Sequence, residues 1–368
     1  MNPTATISRR KAVQLSSLGL GAALVHPFSV SSKPEIQKKL GVALVGLGRY
    51  SNFQLGPALQ HTELCELKGI VTGTPSKRET WAKEYGIEAR NMYSYEEFDR
   101  IKDNEEIDIV YVVLPNAMHK EFTLRAAEAG KHVICEKPMG ISAQECLDMM
   151  EGCKQAGVKL SVGYRLYFEP HHLEVRRMGV EKVHGKVQMM EAGLGFSMAD
   201  PTSWRLNKDL GGGGALIDLG LYAIQGCRRV VGEEPTRVTA QGLVHRPEIF
   251  KGIWEHMSWQ MEFPSGAFSN STTSYSAYVD RMYATAERGW FQLSPSFNAT
   301  GATGLTHEGP LSFTTPPYQQ IAQIDHFAQC VLEDQEPMNS GYEGWKDLKI
   351  IEAIFEAAET GEAVEIGW

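Results

Sequence analysis

The stretch Val42-Ala43-Leu44-Val45-Gly46-Leu47-Gly48-Arg49-Tyr50-Ser51 joins a short apolar run to two closely spaced glycines. A buried strand that leads through G-x-G into a helix brings backbone N–H groups against the pyrophosphate of a dinucleotide. Gly46 permits the tight turn, and Gly48 lets the backbone approach the phosphates. Because Ser51 stands where the full motif has a third glycine or alanine, the interpretation depends on the sequence around the motif.

That sequence continues the same pattern. Further short apolar runs lie at residues 67–71, 109–114, 132–135 and 159–162. Near-continuous apolar runs are typical of strands that are buried on both faces of a parallel sheet. Between two of them, Phe122, Ala126 and Ala129 recur at helical spacing ahead of Gly130, which suits a left-handed helix end. The alternation of strands and helices predicts a doubly wound parallel sheet of the Rossmann type over residues 40–165.

Beyond about Arg165 the pattern changes to longer runs in which apolar and polar residues alternate, such as 186–191 and 258–263. The second run ends at the turn Pro264-Ser265-Gly266. Alternation of this kind indicates half-buried strands. We therefore predict an α+β domain over residues 166–368 with a large, mostly antiparallel open sheet, whose last helix packs back near the first domain.

The N-terminal residues 1–32 differ from the rest. Ser8-Arg9-Arg10-Lys11 precedes an uncharged, moderately apolar stretch from Ala12 to Val25, which is the layout of a signal peptide. The paired arginines resemble a twin-arginine signal, which exports folded proteins, although Ala12 and Val13 are small for that pattern and a Sec signal is the alternative. The apolar stretch is shorter than the roughly 20 residues that span a bilayer. We expect a periplasmic or otherwise exported protein without a permanent membrane anchor.

Composition narrows the class of protein further. The chain has 368 residues, of which 42% are hydrophobic and 22% charged, and its formal net charge is −9. These values predict a folded protein of two domains that does not bind nucleic acid. The six cysteines are scattered without C-x-x-C spacing, so buried free thiols are expected. Adjacent His171 and His172 would point apart on a helix, and no metal site is predicted.

The residues at the end of the second apolar run help to distinguish a site for NAD from a site for NADP. An acidic residue there would hydrogen-bond the ribose 2′-hydroxyl of NAD and repel a 2′-phosphate. The chain has Val71-Thr72-Gly73-Thr74-Pro75-Ser76-Lys77-Arg78, which carries hydroxyls and two cations but no carboxylate. NADP is therefore expected rather than NAD. The alternative is that Lys77 and Arg78 are exposed residues at a helix N-terminus and bind no ligand.

The run that closes the fifth predicted strand is Cys135-Glu136-Lys137-Pro138. Ligands of doubly wound sheets bind outside the carboxyl ends of the strands, so a lysine there faces the nicotinamide region. Glu-Lys-Pro at this place resembles the signature of the Gfo/Idh/MocA oxidoreductases. The resemblance extends over nearly the whole chain beyond residue 40 and is greatest to the glucose–fructose oxidoreductase group. It also rests on residues 114–119, 163–165, 204–206, 212–214, 218–222, 232–235 and 274–276.

The resemblance implies an enzyme that moves hydride between a sugar and a tightly held NADP, oxidising an aldose and reducing a ketose. It also implies a substrate-binding second domain whose sheet forms a homodimer or homotetramer. A conventional sugar dehydrogenase with a dissociable cofactor and an NAD-dependent glycosidase of the same superfamily are the alternatives. A nucleotide-binding sensor without catalysis is disfavoured, because Lys137 and Tyr222 are both present.

Position 222 carries tyrosine, as in the glucose–fructose oxidoreductase group, where many relatives have histidine. On a regular helix Asp218 and Tyr222 share one face. We predict Tyr222 as the acid/base, Lys137 as the group that orients the sugar, and Asp218 as an acceptor for a sugar hydroxyl, since an ammonium nearby would favour a phenolate. The residues predicted to hold the cofactor, from the motifs and the resemblance together, are Gly46, Leu47, Gly48, Arg49, Tyr50, Thr72, Gly73, Lys77, Arg78, Leu114, Asn116, His119, Glu136, Lys137, Arg165, Trp204 and Arg205.

Overall fold

Two β-sheets organise the residues that this computed structural model describes, which are 38–198, 200–299 and 301–368. The signal peptide predicted at residues 1–32 lies outside the described residues. Residues 38–368 form one compact unit that contains both sheets. The predicted division of that unit at residue 165 stays a prediction.

The first sheet is parallel throughout and has the strand order β3-β2-β1-β4-β5-β6. This order is that of a Rossmann fold, so the predicted fold class is confirmed. All four residues of β4 are buried, as expected for a strand covered on both faces. The strands are β1 Leu40–Val45, β2 Cys65–Val71, β3 Met92–Tyr93, β4 Ile109–Val112, β5 His132–Cys135 and β6 Leu160–Val162.

Short helices connect these strands. A π-helical turn at Ser51–Leu55 continues into α1 Gly56–Leu59, and α2 Pro75–Tyr85, α3 His119–Glu128 and α4 Ala143–Gln155 follow. The chain leaves α3 through Gly130, which has a φ of +71° as its left-handed helix end requires. The sequence pattern did not reveal β3, because two residues are too short for a periodic signal.

The second sheet has nine strands in the order β14-β13-β12-β11-β7-β10-β9-β8-β15. Every neighbouring pair is antiparallel except β7 and β10, which are parallel, so the predicted mostly antiparallel sheet is confirmed. Its strands are β7 Val187–Gly195, β8 Arg237–Leu243, β9 His256–Glu262, β10 Phe268–Ser274, β11 Val279–Ala286, β12 Gly289–Leu293, β13 Gly304–Thr306, β14 Gly309–Leu311 and β15 Val364–Glu365.

The remaining helices lie against this sheet or return to the first one. They are α5 Pro170–Val180, α6 Lys208–Gly211, α7 Leu221–Val231, α8 Gln320–Leu332 and α9 Gly341–Thr360. Helix α7 packs on β7, whereas α9 contacts both β8 and α4 and so joins the two sheets. Within the described part of the chain, no helix combines the length and the apolar character needed to cross a bilayer.

Candidate active site

The carboxyl ends of the parallel strands meet at one edge of the first sheet. The glycine loop follows β1, Thr72 follows β2, Leu114 lies just beyond β4, and Lys137 lies just beyond β5. Ligands of doubly wound sheets bind outside this edge. The sequence-predicted residues of the parallel sheet are therefore gathered at the place where a dinucleotide would lie.

The glycine loop has the geometry that such a ligand needs. Gly46 has a φ of +97°, and a Cβ added there would lie 2.3 Å from the carbonyl oxygen of Val113. A Cβ on Gly48 would meet nothing within 4 Å, so the loop is open on the side from which phosphates would approach. Ser51 is fully buried and donates its hydroxyl to the Gly46 carbonyl oxygen at 2.6 Å. The serine closes the loop, which explains why the motif tolerates it in place of a third glycine.

Two predicted cations lie beside this loop. The ammonium of Lys77 donates to the carbonyl oxygen of Leu47 at 2.9 Å and so links the β2 loop to the glycine loop. Arg78 donates to the Thr72 carbonyl oxygen at 3.5 Å, and its Nε has no partner among the described residues. Arg49 is exposed, with its guanidinium 5.5 Å from the ring of Phe53. Gly73 has little room for a side chain, because a Cβ would lie 3.1 Å from Tyr95.

Lys137 and Asp218 form a buried ion pair between the two sheets. The ammonium donates to Asp218 Oδ1 at 2.9 Å and to the Asp218 carbonyl oxygen at 2.8 Å. Burial alone would lower the pKa of Lys137, but the carboxylate of Asp218 and the nearby Tyr222 raise it above its usual value. Lys137 is therefore an ammonium with a fixed direction.

Asp218 has two further donors. The hydroxyl of Tyr275 donates to Asp218 Oδ2 at 2.9 Å, and Arg205 Nε lies 3.1 Å from the same oxygen. Burial would raise the pKa of Asp218, but Lys137 and Arg205 outweigh it and hold the pKa at about 2. Since a carboxylate offers about four acceptor positions, little is left for a sugar hydroxyl. Asp218 anchors the cations in this structure, and its predicted role as an acceptor for a sugar hydroxyl stays a prediction.

Tyr222 lies between two of these cations. The ammonium of Lys137 is 4.9 Å from the centroid of its ring, and the guanidinium carbon of Arg165 is 5.3 Å from it. Arg165 is itself buried. Its guanidinium donates to the Gln319 side chain and to the Phe297 carbonyl oxygen. Both cations therefore lie within cation–π distance of the Tyr222 ring.

The prediction that Asp218 and Tyr222 share one face of a regular helix is wrong in one respect. Asp218 lies in a π-helical turn at Leu216–Gly220, and Tyr222 lies in the regular helix α7 that follows. The two side chains nevertheless both contact Lys137, which brings them together. Wider helical turns of this kind are frequent at functional sites.

Several residues predicted to hold the cofactor have side chains that are hydrogen-bonded within the protein. His119 is fully buried with its Nδ1 2.8 Å from the Pro138 carbonyl oxygen and its Nε2 2.9 Å from that of Leu114. No ring nitrogen is left for a cofactor, and burial lowers the pKa of His119 to about 4. The side chain of Asn116 is also buried and donates to the Gly211 carbonyl oxygen at 2.8 Å.

Glu136 has a similar position behind Lys137. Its carboxylate accepts from the Tyr111 hydroxyl at 2.8 Å and from the Lys137 backbone N–H at 3.1 Å. Burial raises the pKa of this carboxyl above its usual value. Glu136 therefore fixes the backbone that carries Lys137 rather than reaching outward to a cofactor.

The outer residues are connected more loosely. Trp204 joins the cluster through Arg205, whose guanidinium carbon is 4.4 Å from the Trp204 ring. Tyr50 accepts a hydrogen bond from Gln320 at 2.8 Å. Tyr275, Gln319 and Gln320 are not among the predicted site residues. No local pattern identifies them, because each reaches the site only through packing between elements far apart in the chain.

The geometry suits chemistry at a hydroxyl group. The glycine loop and the β2 cations can hold phosphates, while Lys137 lies beyond β5 at the same edge with the Tyr222 ring beside it. A fixed ammonium can orient a hydroxyl, and a tyrosine beside two cations can exchange a proton with it. The residues present therefore fit a nicotinamide dinucleotide and an alcohol substrate.

Comparisons with known proteins agree with this geometry. Residues 40–164 match the model of an oxidoreductase family with an NAD-binding Rossmann fold, and residues 172–302 match the GFO/IDH/MocA C-terminal domain. An NADP⁺-dependent D-xylose 1-dehydrogenase from Haloarcula marismortui is 28% identical over 335 residues, which are 88% of this chain and 92% of that protein.

Solved structures give the same result. An aldose-aldose oxidoreductase from Caulobacter crescentus, complexed with glycerol, is 40% identical with a TM-score of 0.87, covering 89% of this chain and all of that one. A levoglucosan dehydrogenase in complex with NADH and L-sorbose shares the fold at 21% identity, with a TM-score of 0.77 over 90% of this chain and 99% of that one. The chain belongs to the Gfo/Idh/MocA family of oxidoreductases, whose first domain binds NAD or NADP.

Proposed function

We propose that the protein is an NADP-dependent sugar oxidoreductase that retains its cofactor and passes hydride between two sugars, as glucose–fructose oxidoreductases do. The observation that carries the proposal is the cluster of Lys137, Asp218 and Tyr222 at the carboxyl end of β5. The sugar class is supported by the relatives that act on xylose and on aldoses.

Lys137 and Tyr222 have different roles in the proposed oxidation of a sugar. Lys137, held by Asp218, orients the reacting hydroxyl, and Tyr222 takes the proton from its oxygen. The bound nicotinamide would supply the hydride acceptor. When the second sugar is reduced, Tyr222 returns the proton to the new hydroxyl. Arg165 and Lys137 lie beside the Tyr222 ring during both transfers.

The preference for NADP rests on the β2 loop. Thr72, Lys77 and Arg78 follow β2, and the segment from Thr72 to Arg78 has no carboxylate to repel a 2′-phosphate. The unpartnered Nε of Arg78 is a donor that a phosphate oxygen could use. We expect NADP to bind more tightly than NAD.

The cofactor can be tested on protein that is purified without added nucleotide. Denaturation should release NADP or NADPH in close to one copy per chain, identified by mass spectrometry. An aldose such as D-xylose or D-glucose should then raise the absorbance of the native protein at about 340 nm, and a second sugar should reverse the rise. Protein that contains no nucleotide but turns over with added NADP would instead support a dissociable cofactor. Release of the aglycone from a nitrophenyl glycoside would support the glycosidase alternative.

Tyr222→Phe tests the chemistry itself. Loss of the proton-transfer group should lower turnover by at least about a hundredfold while the cofactor stays bound. Tyr278→Phe is the matched control, because Tyr278 is 80% exposed. Turnover of Tyr222→Phe close to that of the wild type would remove Tyr222 from the acid/base role.

Export of the folded protein with its cofactor is part of the proposal. A twin-arginine route would carry a bound NADP to a compartment that does not supply it. Replacement of both Arg9 and Arg10 by lysine should leave the protein in the cytoplasm of a cell that exports the wild type. Unchanged export would indicate a Sec signal instead.

We also propose a homodimer or homotetramer formed through the open face of the second sheet. Exposed and half-buried polar side chains such as Thr239, Gln241 and Gln260 line this face. Light scattering should give the mass of two or four chains. Gln260→Lys should lower that mass by placing a charge at the centre of the face.

A further inference from the structure

A second cluster of ligand-type side chains lies apart from the strand-end edge of the first sheet. His184 precedes β7, and His307 and Glu308 form the turn between β13 and β14. One possible ligand atom from each of the three lies within 4.8 Å of the other two. The two imidazole rings meet edge to face, with centroids 4.6 Å apart and an interplanar angle of 81°.

The environment of His184 gives an independent indication of a ligand. This side chain is only 6% exposed, and its Nε2 has no hydrogen-bond partner among the described residues. A buried ring nitrogen without a partner costs free energy unless a water or an ion satisfies it. An ion bound between the two rings would supply the missing partner.

His307 is oriented as a metal-ligating histidine usually is. Its Nδ1 lies 3.4 Å from the Trp290 carbonyl oxygen. That oxygen would hold the ring proton on Nδ1 and leave Nε2 with a free lone pair for a metal ion. That Nε2 lies 3.8 Å from Glu308 Oε1. Two ligands of one tetrahedral zinc ion are about 3.4 Å apart, so a small movement of the exposed Glu308 would suffice.

The backbone around the cluster also makes room for the second ring. A Cβ on Gly289 would lie 2.2 Å from the His307 ring, so the absence of a side chain there allows the ring to pack against the strand. The β11–β12 turn holds the other side of the cluster, since the Arg288 N–H donates to the His184 carbonyl oxygen at 2.8 Å. Two charged residues lie on this turn: the Arg288 guanidinium donates to the Val183 carbonyl oxygen at 3.4 Å, and the Glu287 carboxylate accepts from the Lys186 N–H at 3.1 Å.

We propose that His184, His307 and Glu308 bind a divalent transition-metal ion of the zinc type. Two imidazoles and one carboxylate are a ligand set that such ions prefer, and solvent would complete the coordination at the exposed side. The ion would tie the β13–β14 turn to the segment before β7. Sequence analysis predicted no metal site, because ligands so far apart in the chain show no spacing motif.

The test uses the full chain without a polyhistidine tag, stripped of metal with a chelator and then titrated with Zn²⁺ in a calorimeter. We expect one ion per chain and a melting temperature that rises with added zinc. Cobalt as a probe should show the visible absorption of a four-coordinate site. His307→Gln should weaken zinc binding by at least about tenfold and abolish the thermal shift, since it removes one of three protein ligands.

His61→Gln is the matched control, because His61 is an exposed histidine outside the cluster. This variant should bind zinc as the wild type does. Glu308→Gln replaces a side chain that is 72% exposed, so it should weaken binding without affecting folding. Zinc binding by His307→Gln that equals the wild type, or no binding by the wild type, would overturn the proposal.

Discussion

Replacement of Asp218 by asparagine tests whether this carboxylate is what holds the cations of the active site. The variant keeps the size and shape of the side chain but removes its charge. It leaves the buried ammonium of Lys137 without the counter-charge that lies 2.9 Å away. Arg205 and the Tyr275 hydroxyl lose the same acceptor.

The magnitude follows from the geometry. At an effective dielectric constant of about 20, two unit charges 2.9 Å apart attract by about 6 kcal/mol, from which the cost of burying both charges must be subtracted. The pKa of Asp218, which falls from 3.8 to about 2, gives a contribution to folding of about 2 kcal/mol by linkage. Removing one partner of a buried pair usually costs about 3–5 kcal/mol. We expect Asp218→Asn to lower the free energy of unfolding by about 3 kcal/mol at pH 7.

The pH dependence has a definite sign on each side. The pKa of the Asp218 carboxyl is lowered, so its contribution is present above pH 3.8 and is lost as the pH falls towards 2. The pKa of Lys137 is raised, so its contribution is present below 10.5 and is lost as the pH rises through the folded-state value. The difference between wild type and variant should therefore be constant at neutral pH and shrink at both extremes.

Urea unfolding followed by tryptophan fluorescence measures this difference, with Asp103→Asn as a control at an exposed aspartate. Sugar-dependent reduction of the cofactor measures the consequence for activity. Turnover of Asp218→Asn should fall by at least about tenfold, because Lys137 no longer has a fixed direction. A loss of stability below about 1 kcal/mol at pH 7, or an equal loss at pH 3, would refute the proposed role of the pair.

Three further outcomes follow from single contacts. Gly46→Ala should abolish cofactor binding and destabilise the fold, because its Cβ would lie 2.3 Å from a carbonyl oxygen at a φ of +97°; calorimetry with NADP measures the first effect. Lys77→Gln should weaken NADP binding by about tenfold and NAD binding far less, whereas the exposed Lys83→Gln should change neither. Arg228→Met should lower the urea midpoint strongly, with a loss of about 3–5 kcal/mol, because it leaves the fully buried Asp347 without its ion-pair partner; an unchanged midpoint would contradict this.

The parts of the site that follow directly from strand ends could be predicted from the sequence. The apolar run of β5 ends at Cys135, two residues before Lys137, and the polarity of a parallel sheet then fixes the edge on which Lys137 lies. The glycine loop was placed at the same edge because it follows the first apolar run. Periodicity gives the position of both, whereas the importance of Lys137 was inferred from the resemblance of Glu136-Lys137-Pro138 to the family signature.

The parts that depend on packing between elements far apart in the chain could not be predicted. Tyr275 lies directly after β10 of the second sheet and reaches Asp218 because the π-helical turn Leu216–Gly220 packs on that strand. Gln319, which bonds Arg165, precedes α8 and carries no motif. His119 shows the opposite limit, since the resemblance predicted a cofactor contact but gave no sign of what its ring would bond within the protein. Full burial and two backbone carbonyls show that it supports the loop instead.

The balance of charge around Tyr222 connects the fold to the proposed chemistry. Lys137, Arg165 and Arg205 bring three cations to the site, and Asp218 binds two of them, Lys137 and Arg205. Arg165 is held by a neutral amide and a backbone carbonyl, so its charge is not cancelled by a carboxylate hydrogen-bonded to it. With the Glu136 carboxylate behind Lys137, three cations stand against two carboxylates, so the site keeps an excess of positive charge beside the tyrosine ring. A proton that leaves a sugar hydroxyl would leave negative charge in this buried place, and the excess stabilises it without any rearrangement of the protein.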